Sequence, residues 1–254
     1  MKQLLIRADD VGYSYAVDLG IARSVREGLV RSVGVMPNMP EAGRGWGWIA
    51  DCDIAVGQHT NVCLGRPAAD PELIPSLLNK DGTFKSSRMY RAAFKEGVDF
   101  VDFDEAVIEI EAQLERFLAI VGREPDYFEA HAVASDNLNS AISHVAAEHG
   151  YREQPISFDP TATIMCGGTP VRMVMRSMQP DYEPAQAIRD AVLCMEDGET
   201  VVYVCHPGYL DRFILENSSL TTDRTKEVDA LIDPELRAWL GAQDDLRLID
   251  YRDL

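Results

Sequence analysis

The sequence is poor in cysteine and poorer in cysteine pairs. Its 254 residues hold five, Cys52, Cys63, Cys166, Cys194 and Cys205, scattered, odd in number and without a C-x-x-C. A cysteine zinc site is therefore not expected, and the natural setting is a reducing cytoplasm. Cys63, Cys194 and Cys205 have apolar neighbours and are expected to be small packing groups. No run approaches the roughly 18 apolar residues of a membrane span. No basic, apolar, cleavable leader is visible ahead of the first strand-like run. Positive charge is scarce: 24 Lys and Arg face 42 Asp and Glu, a net charge of −18. That balance argues against nucleic acid or an anionic membrane surface as the main partner and favours a neutral substrate over a polyanion. Repeats and internal linkers are lacking, so residues 1–254 read as one domain of a size common among α/β barrels.

What is present is alternation. Apolar runs at 4–8, 30–36, 53–60, 125–131, 199–205 and 246–251 read as strands. Helical spacing marks 16–28, 103–121, 139–151, 184–195, 224–231 and 233–240. The order implies a parallel sheet with helical crossovers, an α/β fold. In the helix over 103–121, Val107, Ile110, Ala112, Leu114, Phe117, Leu118 and Val121 form the expected buried stripe, with Glu105, Glu109, Glu111, Glu115 and Arg116 mostly outside. The Pro- and Gly-punctuated 64–84 reads as a long loop, of the kind that often serves as a lid. Residues 152–180 are poorly periodic, with a mobile loop expected at 161–170 and Met173, Met175 and Met178 filling gaps. Trp46 and Trp48 read first as packing, with a sugar-binding wall as the alternative. His144 and His149, five apart, share no helical face and are not expected to be ligands.

The chemistry gathers at strand ends. The first run stops at Asp9-Asp10-Val11-Gly12, the third at His59, the fourth at His131 and the fifth at His206-Pro207-Gly208. If the sheet closes into a barrel, these ends share the C-terminal rim, where α/β barrels keep their active sites. Asp10, His59 and His131 offer one carboxylate and two imidazoles. Three ligands with open positions suit an ion that activates water, and two imidazoles fit zinc or another transition metal better than magnesium. Asp9 would stand beside that water as a base, or orient a ligand. His206, on its rigid bend, is suited to protonating a leaving amine or to packing under the C-terminal helices, with Asp250 and Arg7 as possible partners. Plainer readings coexist: Asp9-Asp10 as a loop start with Asp10 capping the next helix, and His59 and His131 as hydrogen-bonded core residues.

These pieces, in this order, resemble the YdjC family of carbohydrate deacetylases, which includes chitooligosaccharide deacetylases. The matching stretches are Ala8-Asp9-Asp10-Val11-Gly12, Val56-Gly57-Gln58-His59, Glu129-Ala130-His131 and Cys205-His206-Pro207-Gly208-Tyr209. A tail of Ser218-Ser219, Arg224 and Glu227 is also similar. The resemblance implies a single-domain distorted (β/α) barrel of the polysaccharide-deacetylase kind. It implies a divalent metal ion, zinc or magnesium, on Asp10, His59 and His131, with Asp9 as base and His206 as acid. The implied reaction removes an N-acetyl group from an amino sugar or short oligosaccharide, water on the ion attacking the amide carbonyl. A homodimer is the mild expectation. The chain departs from the family where Arg7 replaces an asparagine and Val11 an aromatic. It departs most where a His-x-His-x-His run becomes His131-Ala132-Val133-Ala134-Ser135, so the acyl group or the sugar could differ. The alternatives are hydrolysis of another amide or ester, and sugar binding without catalysis on the same barrel.

Overall fold

The computed structural model describes residues 1–133, 135–157, 159 and 161–254; Ala134 of the altered third motif lies outside the described residues. In chain order these form β1 (Lys2–Val11), α1 (Tyr15–Arg26), β2 (Ser32–Val35), α2 (Ala42–Gly47), β3 (Ala55–Thr60), α3 (Ser87–Lys95), α4 (Phe103–Val121), β4 (Tyr127–Ala130), α5 (Asp136–His149), β5 (Thr163–Cys166), β6 (Thr169–Met175), α6 (Pro184–Leu193), β7 (Thr200–Cys205), α7 (Arg212–Asn217), α8 (Thr222–Ile232), α9 (Pro234–Gly241) and β8 (Leu246–Ile249).

A strand buried on both faces must also fill both edges, and β1 does so. It pairs in parallel with β7 from Gln3↔Thr200 to Ala8↔Cys205. On its other side, β8 takes the first half and β2 the second. The sheet runs β4-β3-β2-β1-β7-β6-β5, parallel throughout except for the β5–β6 pair. It curls into a distorted (β/α) barrel, with a single bridge from Phe128 to Glu153 beyond the β4 edge. Side chains alternate across it. Leu5, Ala55, Tyr127, Met173, Val202, Val204, Ile249 and Tyr251 pack inside the curl. Leu4, Ile6 and Ala8 pack outward with residues of α1, α2 and α6, while α4 and α5 share a second outer cluster. No helix among the described residues is long and apolar enough to cross a membrane.

Several expectations need correction. The stretch 161–170 is not a loop but the β5–β6 hairpin, turned by Gly167 and Gly168, both at positive φ. A Gly-Gly pair between two short runs is a hairpin signal, masked here by strands too exposed to look apolar. Residues beyond the 64–84 loop form α3, whose one buried side chain, Tyr90, gives little periodic signal. Glu109 lies inside rather than outside: its carboxylate accepts from the backbone N–H groups of Ala68 and Ala69 at 3.0 and 2.9 Å, tying that loop to α4. Leu118 is exposed instead of buried. Cys194 is exposed at the end of α6, whereas Cys63 and Cys205 are buried. Trp46 packs in the core with Trp48 against it, and neither lines the cavity at the C-terminal rim. His144 and His149 sit on the surface beside Glu148 and Glu111.

Candidate metal centre

On a regular strand Asp9 and Asp10 would face opposite sides. The β1–β2 register shifts between Ala8 and Val11, and Asp10 has φ of +81°. Aspartate is among the few non-glycine residues that tolerate this left-handed region. The irregularity is a bulge, and it lets both carboxylates line one cavity at the C-terminal rim. Asp10 is not a helix cap, because Ser14 caps α1.

Asp10 Oδ1, His59 Nε2 and His131 Nδ1 form a triangle. Its sides are 3.2 Å from Asp10 to His59, 3.1 Å from Asp10 to His131 and 2.8 Å between the two nitrogens. Two imidazole nitrogens that close need a proton or a cation between them. The other ring nitrogen of His59 hydrogen-bonds the carboxylate of Glu129, two residues before His131. That bond places the His59 proton on Nδ1 and leaves the Nε2 lone pair for the triangle, an arrangement usual at metal-binding histidines. Gly34, on β2, leaves room for the cluster: a Cβ there would sit 2.8 Å from Glu129 Oε1 and 3.2 Å from Asp9 Oδ1. The donor set therefore fits a divalent ion of the zinc type.

Charge supports the same reading. Asp9, Asp10 and Glu129 are buried acids, and Arg7 and Arg224 are the buried cations beside them. Three negative charges against two positive leave one unmatched, and a buried charge is costly unless paired. Without an ion the histidines hold protons instead. Burial opposes a charged His59, but Glu129, Asp9 and Asp10 outweigh it and lift its pKa well above the ordinary value. His131 is likewise pushed up to about 9 against its burial, by Cys63 and Asp10. Burial would raise Asp10, yet Arg224 and the two imidazoles hold it well below the usual carboxylate range.

Asp9 and His206 flank the triangle. Arg7 Nη2 donates to Asp9 Oδ2 at 2.8 Å, and its Nε touches Oδ1 at 2.7 Å as an ion contact without hydrogen-bond geometry. Burial nevertheless raises the Asp9 pKa, the pull of Arg7 opposing it. His206 is held as neutral imidazole, its pKa pushed down to about 4 mainly by burial, with Asp10 and Asp9 opposing. Its expected partners are not the observed ones. Arg7 pairs with Asp9, and Asp250 caps the C-terminal turn and pairs with Arg252. Gly208, past the bend, packs under α1: a Cβ on Gly20 would lie 2.5 Å from Gly208 Cα. That close approach anchors the His206 turn beside β1.

Sequence reasoning gave no role to Arg224, Glu227, Glu129 or Ser177. Arg224 Nη2 donates to Asp10 Oδ2 at 2.7 Å, which leaves Oδ1 for the histidines. Glu227, one turn further along α8, accepts from the His206 backbone N–H at 2.6 Å. Their spacing of three puts both on one helical face, and charged residues on a buried face were the available signal. Glu129 on β4 stands two residues before His131, which directly follows the strand, the period-2 signal for a shared side. Ser177 follows β6 in an aperiodic turn and offered none.

The cavity encloses about 430 Å³. Tyr13, Ala132, Ile156, Met173, Met175, Met178 and Val204 give it apolar walls, and Arg91 and Asn217–Ser219 add polar groups away from the triangle. All three methionines are thus wall residues, Met173 buried and Met175 and Met178 exposed.

Comparison with known proteins places these features in a group. The family model described as YdjC-like protein matches residues 3–242. A carbohydrate deacetylase of Geobacillus stearothermophilus is 30% identical over 262 residues, covering 99% of this chain and 98% of its own. Carbohydrate deacetylase 2 of Listeria innocua is 27% identical over 259 residues, again covering 99% and 98%. A solved Enterococcus faecalis structure, provisionally assigned to cellobiose-phosphate cleavage, superposes with a TM-score of 0.82 at 23% identity, covering 99% of this chain and 98% of that one. A family 4 acetyl xylan esterase from Clostridium thermocellum, solved with a cobalt ion, gives 0.51 at 10% identity, covering 99% and 89%. These two likenesses show the fold.

Proposed function

This chain belongs to the YdjC-like protein family, and we propose that it is a metal-dependent carbohydrate deacetylase that removes an N-acetyl group from an amino sugar or short oligosaccharide. The observation that carries this reading is the triangle of Asp10, His59 and His131 at the floor of a cavity with Asp9 and His206. The relatives named carbohydrate deacetylase, matched over nearly their whole length, support the reaction class.

Asp10, His59 and His131 would hold the ion, and two imidazoles favour zinc over magnesium. When bound, the ion supplies Lewis acidity for a carbonyl and acidity for a water. Asp9 would be the base that takes a proton from the attacking water. Burial lifts its proton affinity towards the working range, while Arg7 fixes both of its oxygens. His206 protonates the departing amine. Because it rests as the neutral imidazole, it takes up one proton from solvent as negative charge builds on the attacked carbonyl and passes that proton to the amine as the C–N bond breaks; Asp9 later returns the proton of the water to solvent. Buried Arg224 and Glu129 keep Asp10 and His59 from turning away.

Protein purified with zinc should release acetate from N-acetylglucosamine oligomers, lose that activity on chelation and regain it when zinc is returned. Asp10→Ala should hold no stoichiometric ion. Stoichiometric metal in that variant would remove the ligand assignment. A second reading, hydrolysis of another amide or ester, draws support from Val133 and Ser135, which stand where the His-x-His-x-His run of many family members carries histidines and which serve here as a core residue and the cap of α5. Screening the same protein for release of other acyl acids separates the two.

A further inference from the structure

Against His206, and reaching the same cavity through Ser177, lies a cluster of hydrogen bonds that the deacetylation scheme does not use. Ser177 Oγ is 3.3 Å from His206 Nδ1 and donates to Glu227 Oε1 at 2.6 Å. Tyr182 Oη donates to the same oxygen at 2.8 Å, and Tyr203 Oη lies 3.2 Å from Tyr182 Oη. Glu227 Oε2 accepts the backbone N–H of His206 itself at 2.6 Å. Glu227 is fully enclosed, and no arginine or lysine is paired with it among the described residues. A buried carboxylate without a cation is costly, so three donors converging on one carboxylate call for an explanation.

We propose that Ser177 and Glu227 are positioning residues that set the tautomer and orientation of His206. Burial pushes the Glu227 pKa up to about 7 against the donors of Ser177, His206 and Tyr182, so above that pH it is a carboxylate, which accepts and does not donate. Glu227 therefore takes the hydroxyl proton of Ser177, and Ser177 Oγ can present only a lone pair to His206. His206 must then carry its resting proton on Nδ1, which leaves Nε2 bare. Nε2 is the nitrogen that receives and delivers a proton at the reacting group, and the bond from Glu227 to the backbone N–H fixes the base of the same side chain. Two contacts on one residue, at its ring and at its main chain, define its orientation. When the ring becomes imidazolium, the Nδ1 proton already has its acceptor and the Glu227 charge lies one hydroxyl away. The hydroxyl of Ser177 thus does for His206 what a direct carboxylate does for His59 through Glu129.

This inference rests on the deacetylase reading for His206 acting on substrate, but the tautomer does not depend on that reading. Nitrogen NMR of the imidazole in the zinc-loaded protein reads it directly. Wild type should show His206 protonated on Nδ1 and bare on Nε2. Ser177→Ala should show a mixture or the opposite tautomer, and Ser177→Thr, which keeps a hydroxyl, should retain the wild-type state. In the acetate assay, Ser177→Ala and Glu227→Gln should lower kcat about 10- to 100-fold, a part of the roughly 10²- to 10⁴-fold that a positioned acid–base group contributes in all, with KM within about twofold and bound zinc unchanged. Threonine at 177 should restore most of kcat. If Glu227→Gln does not fold, Ser177→Ala carries the test alone, because deleting one hydroxyl oxygen beside a cavity spares the packing. An Nε2-protonated ring in wild type overturns the proposal, as does wild-type kcat in folded Ser177→Ala. Absence of acetate release in every variant alongside an Nδ1-protonated His206 would sink the deacetylase reading and leave the positioning intact.

Discussion

The guanidinium of Arg224 lies 2.7 Å from Oδ2 of Asp10, with both side chains buried and 214 positions apart in the chain. The contact does two things. It neutralises a carboxylate that burial alone would protonate, and it spends one oxygen so that the other faces His59 and His131. Removing one partner of such a buried pair costs about 3–5 kcal/mol, because the remaining charge is uncompensated. Arg224→Ala should therefore destabilise the metal-free protein by that order in urea denaturation, and Arg224→Lys by less. An Arg224→Ala midpoint equal to wild type would show that Asp10 is neutral there.

Glu129 orients His59 from behind. Loss of such an outer partner typically costs about 10- to 100-fold in metal affinity. Glu129→Gln keeps the shape and removes the charge, so zinc binding followed by calorimetry should weaken within that range. Affinity unchanged from wild type would mean that the histidine needs no carboxylate to hold its tautomer.

Helix α1 and the turn after His206 touch through two glycines. A methyl group at Gly20 would press on Gly208 Cα from 2.5 Å, and overpacking of this kind costs about 1–3 kcal/mol. Gly20→Ala should lower Tm by several degrees, on a scale of about 2–4 °C per kcal/mol for chains of roughly this size. Because the turn carries His206, kcat should fall with it. A wild-type Tm would mean that the helix moves freely away from the turn.

Asp18 gives a pH signature outside the ion triangle, at the turn that follows Asp10. Its Oδ1 accepts the Gly12 N–H at 2.6 Å, its other oxygen has no partner, and burial pushes its pKa up to about 7. The folded form holds a proton that the unfolded form releases near pH 4. Stability therefore falls as pH rises from about 4 to about 7, by at most about 1.4 kcal/mol per pH unit from this group. Asp18→Asn should flatten the fall in chemical denaturation run across that window. An identical slope in the variant would place the titration elsewhere.

The local code of the chain was readable where a repeat is regular. Continuous apolar runs mark β1 and β7 and a period of 3.6 marks α4, and their alternation implies the parallel sheet, because a parallel pair needs a crossover. Motif order carried the resemblance to deacetylases, since Asp9, Asp10, His59, His131 and His206 close apolar runs one after another. Exposed elements escaped: β5, α3 and α7 bury too few side chains to leave a period. The tertiary structure alone decided that Asp9 and Asp10 face the same cavity, since period-2 reasoning sets them apart and only the bulge beside β2 reunites them. It also decided that Glu109 is inside, because its partners are backbone groups of a loop 40 residues away. Arg224 and Glu227 show the same division. Their spacing fixes one helical face, but which buried charges that face meets depends on how α8 packs across the barrel rim. Sequence sets periods and donor types, which are local; pairing of buried charges is a long-range electrostatic requirement, and only the folded chain brings the partners within reach.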